Sequence, residues 1–291
     1  MDFDTFIGEG WDQHASDPAA VAARLHSEGI ARLTDAAQIV PLAHLAHHVM
    51  GEHLGCWQQG LQFQQQLAAW PLCEPGAAAA QAVRRFMVSL QLASGVIDER
   101  DTLGASDRIR VTAMAAASLG ERDTARAKQL VQDALVQADT AALPATDPVH
   151  RALASIGNNL AGTLEESPQR SEEGRALMIL AAQTARRCWA IAGGWLEVER
   201  AEYRLAMTWL QAGDCVLARQ HALNCLLIVD ANDAPALERF FGCEALGRAE
   251  RGAGNTRGHA LALAQAETAF AALDASDHSA CQATLDKLRA T

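Results

Sequence analysis

Residues 195–237 read WLEVERAEYRLAMTWLQAGDCVLARQHALNCLLIVDANDAPAL, and this stretch decides the fold. Leu205, Ala206 and Trp209 recur at the three- and four-residue spacing that places side chains on one helix face. Gly213-Asp214 breaks that helix, and Ala218, Ala222 and Leu226 mark one face of a second. Small residues stand where the two helices must approach closely, and glycine permits the backbone conformation that ends the first. The stretch therefore reads as an antiparallel helix hairpin.

Related signals extend along the chain. In TAMAAASLGERDTARAKQLVQDAL, Gly120 precedes Ala125 by the interval that separates Gly213 from Ala218. Gly55 and Gly60 repeat the relation in HVMGEHLGCWQQGLQFQQQL. GNNLAGTLEESPQRSEEGRALMILAAQTA carries Asn159, Leu160, Ala161 and Leu164 on a first helix, with EESPQRS lengthening the turn. A last hairpin pairs Ala234–Gly252 with Arg257–Leu273 across GAGN.

The spacing from Leu205-Ala206 through Trp209 and Gly213 to Ala218 resembles the tetratricopeptide repeat, a helix pair of about 34 residues. The resemblance touches the chain from residue 40 onward, although Ala116 and Leu164 stand where that family often carries an aromatic. It implies an all-α fold, an α-α superhelix: a right-handed solenoid of antiparallel helix pairs in one continuous domain over residues 1–291. About five pairs are expected, with residues 1–35 as an N-terminal extension or cap and 276–291 as a C-terminal capping helix, since an array must cover its end faces.

Composition agrees with helix. Alanine is abundant, Tyr203 is the only tyrosine, and β-branched residues are sparse. Prolines mark the helix starts, because proline fits the first turn and disrupts the interior. Pro18 follows Ser16-Asp17, Pro148 follows Thr146-Asp147 and Pro235 follows Asp233-Ala234, each as a capped start; Pro41 marks a start or a kink. The helices expected are 18–28, 40–54, 56–69, 75–95, 106–119, 121–139, 147–165, 171–193, 195–212, 214–229, 233–252, 256–273 and 276–289.

The formal net charge is −11, and Lys128 and Lys287 are the only lysines. A surface of that sign repels phosphate backbones, so nucleic acid is not expected as a partner. Seven cysteines form no CxxC pair and read as small buried hydrophobes in a reducing compartment. The acidic start MDFDTFIGEGW lacks the basic and apolar regions of a secretion signal, and no run of about 18 apolar residues spans a membrane. The expected location is the cytoplasm, with no membrane partner.

Neither GxSxG nor a GKS/T loop occurs, and no catalytic role and no cofactor is expected. Gly252–Gly258 is glycine-rich but follows a helix rather than a strand, so it reads as a helix-helix turn. Glu165-Glu166 and Glu172-Glu173 flank Pro168 and read as a solvated loop. His44, His48 and Glu52 follow i, i+4, i+8 and could hold a divalent metal from one helix face, or serve as ordinary hydrogen-bonding residues.

The family resemblance implies a different site. Its first helices line a concave groove that holds extended peptides, and by motif Asn159 matches the peptide-contacting Asn, with Arg204 in the equivalent place before Leu205-Ala206. Arg200 lies one turn earlier on the same face, Tyr203 adjoins it, and Trp195 stands at a helix junction beside Gly193-Gly194. This strip suits an acidic or C-terminal peptide; the arginines pair with Glu197, Glu199 or neighbouring carboxylates in the competing reading. The expected function is a non-catalytic protein- or peptide-binding scaffold. The alternatives are a peptide-responsive regulatory module and a metal-binding protein using the His44–His53 cluster. Self-association through an apolar end face stays open.

Overall fold

The computed structural model describes residues 2–96 and 98–290. Fourteen α-helices and no strand occur among the described residues. The chain divides into two compact units, 1–144 and 145–291.

The N-terminal unit holds α1 (Phe3–Gln13), α2 (Pro18–Arg24), α3 (Ile39–His47), α4 (Trp57–Ala68), α5 (Ala78–Ser94), α6 (Ala105–Leu119) and α7 (Thr124–Ala141). Helix α1 falls where the sequence suggests only an extension. Its Asp2 carboxylate accepts from Thr5 N at 2.8 Å, and Phe3 and Phe6 drive it into the core. Those phenylalanines join Leu25, Ile39, Leu42, Leu45, Met50, Phe63 and Leu67, all essentially removed from water except Phe3, which keeps a small exposure. Each such side chain contributes about 1.5–3 kcal/mol of burial.

Pro41 lies in the first turn of α3, where its missing N–H costs nothing. The helix does not run on regularly to residue 54. It widens into a π-turn over His48–His53, with Leu54 N bonded to Val49 O at 3.0 Å and Cys56 N to Met50 O at 2.8 Å, and stops at Gly55 with φ +64°. From α4 onward successive helices pack on one another, α4 with α5, α5 with α6 and α6 with α7.

The C-terminal unit is more regular: α8 (Pro148–Glu166), α9 (Glu172–Ala192), α10 (Trp195–Gln211), α11 (Cys215–Ala231), α12 (Ala236–Gly252), α13 (Thr256–Ala271) and α14 (Ala275–Arg289). The pairs are α8/α9, α10/α11 and α12/α13, and α14 packs on α12 and α13. Thr291, within the expected capping segment, lies outside the described residues. The first helices also meet one another, α8 with α10 and α10 with α12.

Two of the hairpins close by the same chemistry. Gly213 takes φ +82°, its N–H reaches Leu210 O and that of Asp214 reaches Trp209 O, which satisfies carbonyls that the helix end would leave bare. Asp214 then caps α11 through Val216 N and Leu217 N. Gly254 at φ +72° and Asn255 repeat the arrangement between α12 and α13. Gly120, although spaced like Gly213, stays in right-handed helical geometry, and Asp123 alone caps the next helix. Pro235 precedes α12 without a side-chain cap.

Leu205, Ala206, Ala218 and Ala222 are buried as their spacing requires, whereas Leu226 and Trp209 are half-buried. Five cysteines are buried and two half-buried, and no disulfide joins them. No helix among the described residues is long and apolar enough to cross a membrane.

Helices α8 and α9 approach closely at Gly157, where a Cβ would stand 2.6 Å from Ala181 O and 3.1 Å from Ala185 N. Gly157→Ala forces two backbones apart and is expected to cost about 1–3 kcal/mol by chemical denaturation. Gly8→Ala, in the exposed middle of α1 with nothing within 4 Å, is expected to gain up to about 1 kcal/mol from helix propensity. Equal effects of the two substitutions would contradict this packing.

Candidate functional site

Helices α10 and α12 carry the buried carboxylates of the C-terminal unit, two on α10 and three on α12. Glu199, Glu202, Glu238, Glu244 and Glu250 are all buried in the C-terminal unit. Burying a carboxylate costs several kcal/mol unless it is paired, so each needs a partner. Glu202 accepts from Arg186 Nε at 2.6 Å, is met by His221 Nδ1 at 2.7 Å, and holds its proton weakly: burial raises its pKa, and the His221 and Arg186 bonds outweigh that. Glu238 accepts from Arg200, Glu244 from Tyr203 Oη at 2.9 Å and Arg248 at 3.0 Å, and Glu250 from Arg219 at 2.7 Å.

Glu165 corrects an expectation. It lies in the last turn of α8 rather than in a solvated loop, because the helix runs to Glu166 and turns this side chain inward. Its carboxylate receives Arg204 Nη1 at 2.6 Å and the Thr208 hydroxyl. Burial raises its pKa despite the arginine.

Glu199 differs from the rest. With 1% of its surface exposed, it accepts from the Cys225 thiol at 2.7 Å, and its second oxygen has no hydrogen-bond partner among the described residues. Burial and the neighbouring Glu238 charge push its pKa up to about 7. Burial also raises the Cys225 thiol, as does the Glu199 charge.

Glu199 and Glu238 border a cleft of about 260 Å³, lined also by Asn158 of α8, Arg200, Tyr203 and Arg204 of α10, and Leu237 and Phe241 of α12. Three of the residues singled out from the sequence meet there: Arg200, Tyr203 and Arg204. The Tyr203 ring packs edge-on against Phe241 with centroids 5.6 Å apart, and burial raises its hydroxyl pKa, with the Glu244 charge adding to the effect. Arg200 keeps 58% of its side chain exposed while bonded to Glu238.

Two sequence candidates lie elsewhere. Asn159 is exposed and accepts from Asn158 Nδ2 at 3.3 Å; its neighbour Asn158 is the cleft residue, one position being about 100° around a helix. Trp195, 38% exposed, opens α10 and is not among the residues lining the cleft. The sequence reading missed Asn158, Leu237, Glu238 and Phe241. Leu237 and Phe241 are one turn apart on the first helix of the next pair, a spacing that could have signalled them.

A recess of about 510 Å³ in the N-terminal unit, lined by Asp98, Arg100, Asp101, Arg108 and Asp133 among others, is larger. Its arginines are already engaged, Arg100 by Asp98 at 2.8 Å and Arg108 by Asp101 at 3.5 Å. Ala105, Ile109 and Ala141 give it an apolar wall, but none of the residues singled out from the sequence lines it.

The histidine cluster of the N-terminal unit is rearranged relative to the expected i, i+4, i+8 face. His48 Nδ1 meets Glu52 Oε2 at 2.8 Å, and His48 Nε2 lies 3.1 Å from His53 Nε2 across the π-turn. His44 instead packs against Trp11, with centroids 5.2 Å apart, and stacks on Phe86. His14, at the end of α1, completes the group with ring centroids 5.0 Å from His48 and 5.1 Å from His53. Glu52, facing both His47 and His48, holds its proton more weakly than a free side chain: burial raises its pKa, and the His48 bond and the neighbouring imidazoles outweigh it. Burial lowers His53 to about 4, with His48 and His14 contributing.

Comparison of the chain with protein-family models, curated proteins and solved structures finds no match.

Glu199 supplies a pH signature. Its folded pKa stands above the 4.5 of a free side chain, so the native state binds the proton more tightly; that stabilisation is complete below about pH 4 and is lost as pH rises through about 7. Glu199→Gln mimics the protonated carboxyl and removes the effect. Between pH 5 and pH 8 the wild type is expected to lose stability relative to the variant, on the order of 2 kcal/mol by urea titration. Parallel pH profiles for the two proteins would refute the assignment.

Proposed function

We propose that the C-terminal unit is a tetratricopeptide-like, non-catalytic scaffold whose first helices form the concave wall of a superhelix and hold a peptide in the cleft over α10. The observation that carries this reading is the convergence of α8, α10 and α12 on one cleft, lined by two guanidiniums, two carboxylates (Glu199 and Glu238), an amide and a phenol beside Leu237 and Phe241. Pockets for drug-sized ligands run to about 300–1,000 Å³. At about 260 Å³ the cleft suits one or two side chains or a chain terminus rather than a larger cofactor.

The chemistry favours a peptide that ends in, or carries, a carboxylate. Arg200 is half-solvated and bonded to Glu238, with the Glu199 and Glu197 charges nearby, and its exposed N–H groups face solvent, where a second carboxylate can reach them. Asn158 offers both a donor and an acceptor to a peptide backbone, and the Tyr203–Phe241 edge gives an apolar side chain a surface to cover. Because the arginines are held by buried carboxylates before any ligand arrives, little ordering entropy is lost by the receptor on binding. The partner is a protein or peptide, not nucleic acid, in keeping with the net charge of −11.

A library of fluorescent peptides with free or amidated C-termini tests the proposal. A sequence bound by the wild type is expected to lose about 10-fold or more in affinity, or about 1.4 kcal/mol, on amidation and in Arg200→Gln. The paired change Arg204→Gln with Glu165→Gln removes the other guanidinium without stranding its carboxylate, and is expected to weaken binding similarly with unchanged circular dichroism. No binding by any peptide, or binding indifferent to all three changes, would sink the reading.

A further inference from the structure

We propose that His14, His48 and His53 form a binding site for a divalent transition-metal ion of the zinc class. One ring nitrogen from each lies within 4.8 Å of the others, and all three side chains are half-buried, which leaves an approach from solvent. The three rings meet edge-on or tilted at centroid separations of 4.7–5.1 Å.

Hydrogen bonds set the tautomers. The Trp11 carbonyl can only accept, so His14 donates from Nδ1 and keeps its lone pair on Nε2. The Glu52 carboxylate accepts from His48 Nδ1 and leaves His48 Nε2 as the lone-pair nitrogen. This carboxylate–histidine and carbonyl–histidine support is the outer shell that orients imidazole ligands. In the metal-free protein His53 Nε2–H donates to His48 Nε2 at 3.1 Å, and binding an ion moves the His53 proton to Nδ1 and frees Nε2 as a ligand. Two nitrogens bound tetrahedrally to one ion at about 2.0–2.1 Å lie roughly 3.4 Å apart, so this pair is within a few tenths of an ångström of a ligating edge.

The backbone is shaped to make the pair. Residues 48 and 53 are five apart and would point apart on a regular α-helix; the π-turn over His48–His53 brings them together. Arg122 fastens the end of that turn by donating to the carbonyls of Glu52 at 2.8 Å and His53 at 2.6 Å. Its charge opposes a cation, and the Glu52 carboxylate offsets it. The wider turn is thus fixed at both flanks, by Glu52 on one ligand and Arg122 behind the other.

Three imidazoles with no thiolate select zinc, copper, nickel or cobalt over magnesium and calcium, which prefer oxygen. Three protein ligands leave a fourth position for water or an exogenous donor. His44 is outside the ligand set, since it packs on Trp11 and Phe86.

The test is calorimetric titration of tag-free, metal-depleted protein with Zn²⁺, together with the visible spectrum of the Co²⁺ form. One Zn²⁺ per chain and intense tetrahedral Co²⁺ absorption are expected. His14→Ala and His53→Ala should each weaken Zn²⁺ binding by about 10–100-fold or more, and Glu52→Gln by about 10-fold or more, while His44→Ala leaves it unchanged. Circular dichroism and melting of each metal-free variant separate loss of a ligand from loss of the fold. Absence of saturable Zn²⁺ binding to the wild type, equal affinity in His14→Ala, or an equal loss in His44→Ala would overturn the site.

Discussion

Close approach of helix backbones through small side chains is the constraint on which the rest of this structure depends. Gly157 against Ala181, and the buried alanines 206, 218, 222 and 245, let helices of the C-terminal unit meet with little side chain between them. Such packing brings little apolar area per residue, so the stability of each contact comes from its fit and from many of them acting together. It also brings polar side chains on one helix within reach of the next. Glutamates that would reach water on an isolated helix are enclosed here, and arginines and histidines of neighbouring helices must meet them.

That enclosure explains the character of the cleft over α10. Arg200 and Arg204 are held by Glu238 of α12 and Glu165 of α8, so the guanidiniums are oriented by the pairing of separate helices rather than by their own helix. Glu199, beside them, is bonded by a thiol rather than a cation, and burial with the Glu238 charge pushes its pKa up to about 7. A buried group with a displaced pKa beside a cleft is the ordinary physical mark of a functional surface, although ion-pair networks produce it too.

The N-terminal unit shows the complementary behaviour. Its core is built from larger side chains, Phe6, Phe63, Ile39 and Leu42 among them, and its helices are less regular. The widened turn after α3 spends a stretch of ideal hydrogen bonding to turn His53 towards His48, and α1 brings His14 to the same place. The cluster is therefore a product of tertiary assembly, made of two segments whose His14 and His48 stand 34 positions apart in the chain.

The sequence by itself determined the helical class, the hairpin at Gly213-Asp214 and its echo at Gly254-Asn255, because helix periodicity and left-handed glycine ends are local properties. It also determined that Arg200, Tyr203 and Arg204 share a stretch of one helix. Which groups face them was decided only by tertiary structure. Asn158 rather than Asn159 enters the cleft because a rotation of one residue on α8 is fixed by packing against α9, and Glu165 is drawn inward by an arginine thirty-nine positions away. Helix α1 was legible in part, since Phe3, Phe6, Ile7 and Trp11 follow helical spacing behind the Asp2 cap, but that Phe3 and Phe6 seat it in a core depends on side chains other helices supply. The local signal in His44, His48 and Glu52 assumed an unbroken α-helix; the π-turn changed the partners. Periodicity specifies which residues share a face of a regular helix, whereas departures from regularity and the choice of opposing face are set by contacts between segments far apart in the chain.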